Sequence, residues 1–391
     1  MQFRRSTIAS LLVASIASNA SPAVNAFAMS GLGWGPSPKH MASTTSRKAT
    51  IDDTAECVKN VDLLSLDSIR STLIRQEETI IFAAIERSQY RRNHIVYTSG
   101  GFGDLGVPLG AKAALQDGEE PLSFLEYICI GTEVLHCGVR RYTSPQEYPF
   151  FPKFLPDGPL PGLPELEYPV DLLSPIGDAC HSNFNEILLD KYLKWVVPSI
   201  SASGDDEQHG STVLADIALL QALSKRAHFG KFVAESKYRS DPEEYQRLVD
   251  AGDADGVMEL LTNAVVEARV LRRARIKAST YGREPLMTQL PIEKADQISD
   301  SANFVAAAAA SAVASAFQMI DQSDDFQGKV DPAIVQDIYE KFVIPLTKDV
   351  EVDYLFRRCG RDPPSEYAPD RMSKDTLPDL REDFCITLPP V

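Results

Sequence analysis

The chain has 391 residues, 44% of them hydrophobic and 24% charged, which is typical of a globular protein with one large or two ordinary domains. Its net charge of −16 would repel phosphate backbones, so we do not expect nucleic acid as a partner. The six cysteines include no C-x-x-C pair and no Cys/His cluster with zinc spacing, so we expect scattered buried thiols and no metal site. A redox switch is the alternative for these thiols.

The first 51 residues have the composition of a targeting presequence, because they contain no Asp or Glu. Two arginines precede an apolar run that is too short for a membrane span of ~20 residues, and residues 24–26 form a small-residue cleavage site. Phe27 and the acid-free, Ser/Thr-rich stretch after it resemble the two-part targeting sequences of algae with secondary plastids. We therefore expect a signal peptide at about residues 1–26, a transit segment up to residue 51 and a plastid location, with secretion as the alternative.

Helical periodicity dominates the rest of the chain. The predicted helices are residues 66–91, 121–142, 185–197, 211–239, 241–251, 257–281 and 331–358. Residues 94–98 resemble a strand, and the prolines between residues 150 and 175 block regular helix, which indicates an irregular crossover. We predict an all-α protein with a single large helical-bundle domain at residues 52–358.

Two segments are predicted to be additions to this domain. Residues 287–328 are Ala-rich in the middle and polar at both ends, which indicates an exposed helix between linkers. Residues 359–391 contain six prolines and many charges, which is typical of a loosely ordered tail.

A G-x-G-x-x-G match at residues 101–106 follows the strand-like segment. A dinucleotide fold requires a helix to begin there, but Pro108 and Gly110 interrupt the next turn and no βαβ alternation follows. We interpret the match as a glycine-rich loop and expect no cofactor.

Charged and polar residues fall on the apolar faces of several predicted helices. Arg226 and Lys237 share one face with Leu219, Leu223, Gly230 and Val233. The two cations are eleven residues apart, about three turns or ~16 Å, so their side chains can converge on one small molecule. The other inward-facing pairs are Arg70 with Glu77, Asn263 with Glu267, and Thr347 with Glu351, the last pair following a kink predicted at Pro345.

Three interpretations of these buried charges stay open. They form a structural salt-bridge network, they lie on faces that are in fact solvated, or they bind a small dianion with a polar group. No metal-ligand set, Ser/His/Asp order or phosphate loop accompanies them. If the site is catalytic, we expect catalysis by positioning and electrostatics.

Seven sequence blocks identify a family. They are RQEETIIF at 75–82 after Arg70, IERS at 85–88, RRYTSP at 140–145, PFFP at 149–152, SKRAHFGKFVAESK at 224–237, TNAVVE at 262–267 and IPLTKDVEVDY at 344–354. In this order they closely resemble the eukaryotic all-helical (AroQ-type) chorismate mutases, over about residues 62–358. The resemblance implies a cofactor-free rearrangement of chorismate to prephenate in aromatic amino acid biosynthesis. A catalytically inactive homologue that senses aromatic amino acids is the alternative.

The resemblance also implies the roles of individual residues. Those that contact the substrate are Arg70 and Arg226 as carboxylate clamps, Thr347 and Asn263 as further carboxylate contacts, Glu267 as acceptor for the substrate hydroxyl, and Lys237 and Glu351 as donors to the ether oxygen. Glu77 and Arg273 hold the cations in place.

A homodimer and an effector site for aromatic amino acids are implied as well. The effector residues are Arg140, Arg141, Gly210 and Ser211. Three nearby residues depart from the fungal pattern, namely Glu207, Gln208 and Leu214, the last standing in place of a threonine. These departures argue against tyrosine inhibition through that hydroxyl and are similar to plastid plant members, in which tryptophan activates. An interface without effector response is the alternative.

Overall fold

The computed structural model describes residues 64–115, 118–164, 173, 182–282 and 329–369. All of them belong to one compact unit, Val61–Val391. The other unit, Met1–Asn60, contains the predicted presequence and lies outside the described residues. So do the predicted insertion at 287–328 and the end of the predicted tail.

Every regular element in the described part of the chain is helical, which confirms the predicted fold class. The α-helices are α1 (Leu66–Arg87), α2 (Phe124–Gly138), α3 (Asn185–Lys191), α4 (Val197–Ile200), α5 (His209–His228), α6 (Gly230–Ser240), α7 (Pro242–Asp250), α8 (Ala254–Leu261), α9 (Ala264–Tyr281), α10 (Pro332–Ile338) and α11 (Ile344–Arg358). Short 3-10 turns occur at His94–Tyr97, Arg141–Thr143 and Pro152–Phe154. No helix in the described part of the chain is long and apolar enough to cross a membrane.

The segment predicted as a strand, residues 94–98, is a 3-10 turn, so that prediction was wrong. Asn93 before it adopts a left-handed backbone conformation with φ 50°, and the Val96 N–H closes the turn on Asn93 O at 3.0 Å. The Asn93 amide donates to Asp206 at 2.8 Å and to Thr212 at 2.7 Å. These long-range hydrogen bonds outweigh the β propensity of the apolar residues, which depends strongly on context.

Three of the long predicted helices are divided. Phe229 separates α5 from α6, and Asn263 begins α9 by accepting the Val266 N–H at 3.1 Å, as an N-cap residue does. A π-helical turn at Tyr339–Val343 precedes α11, at whose start Pro345 offers no N–H to a regular helical hydrogen bond. The irregularity therefore lies where a kink was predicted.

Three hydrophobic clusters lie in the interior of the described part of the chain, and the two larger ones meet at the junction of α5 with α6. The first contains Leu223, Ala227, Leu346 and Val350, and the second contains Phe229, Phe232, Val352 and Tyr354. Arg226 lies in the chain three residues before Phe229 of the second cluster, and Glu351 lies between Val350 of the first cluster and Val352 of the second. The predicted site is therefore placed at the boundary between two apolar cores.

The first part of the predicted tail contacts the folded unit. Arg361 pairs with Asp250 of α7 at 3.0 Å, and Tyr367 packs against the second hydrophobic cluster. Residues 370–391 lie outside the described residues.

Candidate active site

Arg226, in the last turn of α5, is a buried cation with 6% of its surface exposed. Its Nη1 donates to Thr347 Oγ1 at 3.3 Å, while its Nε has no hydrogen-bond partner among the described residues. Thr347 Oγ1 is fixed in turn by donating to Val343 O at 2.6 Å. Burial lowers the pKa of Arg226, and Glu77 and Glu351 oppose the shift. A buried guanidinium with an unpaired donor is costly, and an anion bound beside it would remove that cost.

Gly230 allows α11 to pass close to the junction of α5 and α6. A Cβ atom at this residue would lie 2.9 Å from Thr347 O and 3.2 Å from Glu351 Cγ. A larger residue would have to push α11 away, because the first of these contacts is with backbone. The glycine therefore sets the distance at which Thr347 and Glu351 face Arg226.

Lys237 and Glu351 form a second group at the same face of α11. Lys237 Nζ lies 3.8 Å from Glu351 Oε2 and donates a hydrogen bond to Leu261 O. Burial raises the pKa of Glu351, and Lys237, Arg226 and Lys348 oppose the shift. The neutral carboxyl therefore persists to a higher pH than in an ordinary glutamic acid. A protonated Glu351 and the Lys237 ammonium are two donors that can share one acceptor.

Glu77, buried on α1, takes its charge partners from α9. Arg273 Nε donates to it at 2.7 Å, Arg273 Nη2 donates to its other oxygen, and Lys277 Nζ lies 3.6 Å away. The structure thus brings together the two residues predicted to hold the cations in place. Because this carboxylate is engaged by two cations of α9, the Nε of Arg226 is left for another acceptor.

Asn263 and Glu267 lie at the start of α9. Asn263 is the exposed N-cap residue of α9. The prediction of one continuous helix over residues 257–281 had placed it inside the helix, and at this residue the prediction was wrong. Glu267, one turn further, pairs with Lys348 of α11 at 2.8 Å. This ion pair draws the start of α9 towards Thr347, which precedes Lys348 in the chain.

Arg70 differs from its prediction. The helical face of α1 that contains Arg70 is predicted to turn towards the core. In the structure 61% of the Arg70 side chain is exposed, and its guanidinium pairs with Asp67 at 3.3 Å. Ile69 occupies the buried side of the same helical turn. Since an exposed ion pair contributes little stability, Asp67 holds Arg70 only weakly.

The predicted effector residues lie apart from these groups along the chain. Arg140, with φ 66°, donates to the carbonyls of Leu163 and Pro164. Arg141 binds Glu147 at 2.9 Å and Gln221 of α5 at 3.0 Å. Gly210 and Ser211 are exposed in the first turn of α5.

Sequence reasoning missed three residues of the site. Lys348 and Lys277 pair with Glu267 and Glu77, and the Tyr339 hydroxyl is buried without a hydrogen-bond partner among the described residues. Lys348 lies inside the sequence block at 344–354, and Lys277 lies one helical turn after Arg273. Both lysines could therefore have been identified from the sequence. Tyr339 begins the π turn, which no periodicity pattern predicts.

The described residues contain no group of three or more His, Cys, Asp or Glu side chains that could hold a metal ion. The described residues define a helical protein in which a buried arginine keeps an unpaired donor beside a threonine, a lysine and a buried glutamic acid.

Comparison with known proteins identifies this class. The family described as "Chorismate mutase type II" matches residues 211–352. "Chorismate mutase 1, chloroplastic" of Petunia hybrida is 38% identical over 301 residues, which cover 77% of this chain and 78% of the relative. The chorismate mutase of Schizosaccharomyces pombe is 40% identical over 296 residues, covering 75% and 96%. The chain belongs to the type II chorismate mutase family, and it is therefore an isomerase.

Solved structures agree with this assignment. The Candida albicans chorismate mutase in complex with L-Trp is 34% identical, with a TM-score of 0.59, covering 77% of this chain and 94% of that one. AtCM1 with tyrosine bound in its allosteric site is 35% identical, with a TM-score of 0.56, covering 76% and 98%.

Proposed function

We propose that the chain converts chorismate to prephenate at the site around Arg226. The observation that carries the assignment of this site is the buried Arg226 guanidinium, whose Nε has no partner among the described residues. A planar guanidinium suits bidentate binding of a carboxylate, and chorismate carries two carboxylates. One of them would bind Arg226 and Thr347.

The second carboxylate of chorismate would bind Arg70 and Asn263. Both side chains are exposed at the surface, so they can turn to meet a ligand. Glu267, held by Lys348, would accept a hydrogen bond from the substrate hydroxyl. Glu77 and Arg273 act through the charges around Arg226 and do not touch the substrate.

The reaction breaks the ether C–O bond as a new C–C bond forms, so it needs no proton transfer, nucleophile or redox partner. The protein contributes by holding the substrate in a folded, near-attack conformation. Negative charge develops on the ether oxygen during bond cleavage. Lys237 and protonated Glu351 would donate to this oxygen, which stabilises the transition state more than the ground state.

The test is loss of chorismate absorbance with protein that begins near Asp52, with no cofactor added. We expect Arg226→Ala to lower kcat/KM by roughly 10²–10³-fold, the loss typical of removing one preorganised donor. Arg247→Ala, which removes an exposed arginine of α7, is the matched control and should retain activity. Circular dichroism confirms that each variant is folded.

Failure to convert chorismate by the folded wild-type protein would favour the second candidate, a catalytically inactive sensor of aromatic amino acids. Full activity in a folded Arg226→Ala variant would instead contradict the proposed site while leaving the reaction intact.

The proposed effector site comprises Arg140, Arg141, Gly210 and Ser211, with tryptophan as activator. Tyrosine or phenylalanine would be inhibitors that need no hydroxyl at residue 214, where a leucine stands. Two similar structures support it, one in complex with L-Trp and one with tyrosine in an allosteric site. Arg141 and Gln221 offer donors for an amino acid carboxylate next to α5.

We also propose that the chain forms a homodimer. Leu135 and Val139, one turn apart at the end of α2, are 73% and 61% exposed. Leu160, also 61% exposed, lies against Gly138 between them. Adjacent exposed apolar residues of this kind mark interaction surfaces.

A plastid location is proposed from the acid-free presequence and from plant relatives named chloroplastic. Fusion of residues 1–51 to a fluorescent protein tests it, and secretion of the fusion would contradict it.

A further inference from the structure

Glu147 connects the predicted effector residue Arg141 to the helix that carries Arg226. It lies in the loop between two 3-10 turns, and 14% of its side chain is exposed. Its Oε2 accepts from Arg141 Nε at 3.1 Å and from Nη2 at 2.9 Å, and its Oε1 accepts from Lys225 Nζ at 2.8 Å. One carboxylate therefore bridges two cations, with a separate oxygen for each.

Lys225 directly precedes Arg226 in the last turn of α5. A change in the contacts of its ammonium group therefore acts on the helical turn that holds the substrate-binding guanidinium. Arg141 reaches α5 by a second route, since its Nη1 donates to Gln221 Oε1 at 3.0 Å. Gln221 Nε2 is buried without a partner among the described residues, so a donor remains beside Arg141 for a further acceptor.

We propose that Glu147 is a positioning residue that couples ligand binding at Arg141 to the placement of Arg226. This rests on the proposed function, because the ligand is the carboxylate of an aromatic amino acid at the proposed effector site. That carboxylate and Glu147 compete for the Nε–Nη2 edge of Arg141, the edge suited to bidentate binding. When the effector binds this edge, Glu147 loses its contact with Arg141 and keeps only its contact with Lys225. The hydrogen-bonded link between the loop that contains Glu147 and α5 is then altered.

The coupling is reciprocal, because a change that the effector makes in chorismate affinity is matched by the change that chorismate makes in effector affinity. The Arg141–Glu147 pair is suited to this role since both side chains are mostly shielded, at 25% and 14% exposure. Salt screens such a pair less than a fully exposed one.

The experiment measures two quantities in the full domain, with L-tryptophan, L-tyrosine and L-phenylalanine as separate probes. One is the Kd of each amino acid by calorimetry, and the other is the fold-change that a saturating amino acid causes in the KM for chorismate. In Glu147→Gln we expect effector binding to persist or tighten, because the competing charge is gone. The effector-induced change in KM should shrink at least about fivefold, the lower end of typical allosteric coupling.

Lys225→Gln removes the other half of the bridge and leaves the Arg141–Glu147 pair intact. It should keep the wild-type effector Kd and lose the KM response, a pattern that a general loss of stability would not produce. Glu119→Gln breaks the exposed ion pair with Lys153 and is the matched control, with both quantities unchanged.

A wild-type KM response in both Glu147→Gln and Lys225→Gln would overturn the coupling role. No binding of any of the three amino acids to the active wild-type protein would overturn the effector site itself, and the proposed Glu147 role with it. The two failures are distinguishable, because the second is seen in the unmodified protein.

Discussion

Glu351 can donate a hydrogen bond only while its carboxyl group keeps a proton. Burial raises its pKa, while Lys237, Arg226 and Lys348 oppose the shift, so the protonated form extends above the pH range of an ordinary carboxyl. For an acid with a raised pKa, the proton is present at low pH and is lost as pH rises through that value. The proposed donor is therefore lost on the alkaline side of the activity profile.

We expect kcat/KM for chorismate to fall as pH rises through the pKa of Glu351, and Glu351→Gln to flatten that fall. The amide of glutamine donates at every pH, so the variant keeps a donor where the wild type loses one. Glu259→Gln, an exposed carboxyl of α8, is the control and should keep the wild-type profile. An identical pH profile in Glu351→Gln and the wild type would count against the donor role.

Helix packing around Gly230 decides whether these residues can meet. The junction of α5 with α6 and the start of α11 approach so closely that only a glycine leaves the Thr347 carbonyl in place. The same contact sets the position of Glu351, one helical turn after Thr347 on α11. The stability of the protein and the geometry of the site therefore both depend on the absence of a Cβ atom at residue 230.

Gly230→Ala should lower both stability and activity. Overpacking of this kind costs about 1–3 kcal/mol in the free energy of unfolding, which urea denaturation measures. Because α11 must move, kcat/KM should fall as well, even at temperatures where the variant is fully folded. Gly210→Ala is the matched control for stability, since a Cβ there would have no atom within 4 Å. A Gly230→Ala variant with wild-type kcat/KM would show that the approach of α11 is not needed for catalysis.

At the scale of the whole molecule, adjacent exposed apolar residues at the end of α2 form a surface that packing within a single chain does not explain. Leu135 and Val139 are large apolar residues with most of their surface exposed, and they precede Arg140 and Arg141 of the proposed effector site. A homodimer that covers this surface would place the effector site at its edge.

We expect light scattering to give the wild-type domain about twice the mass of one chain, because the dimer is the commonest homo-oligomer. Leu135→Asp combined with Val139→Asp should give a folded monomer. Both residues are already exposed in the single chain, whereas burying two unpaired carboxylates in an interface is strongly unfavourable. Leu260→Asp, on α8, should leave the mass unchanged. A wild-type monomer, or a dimer that persists in the double variant, would contradict this interface.

The sequence alone determined the helical class and the buried positions of several polar residues. Apolar spacing predicts which face of a helix turns inward, so Glu77, Arg226, Thr347 and Glu351 could be placed in the interior from their stripes. Periodicity fails at helix ends, where fewer neighbours cover each turn. Arg70 lies at such an end and is exposed.

Only the tertiary structure decided which charges neutralise one another. Glu77 could have paired with Arg226, but α9 delivers Arg273 and Lys277 to it, and Arg226 keeps an unpaired donor. The contact between Glu147 and Lys225 could likewise not be predicted from the sequence, since the two residues are 78 positions apart. A hydrophobic pattern specifies the face of one helix, whereas an ion pair depends on the distance between two elements. That distance is set here by close packing at residues such as Gly230.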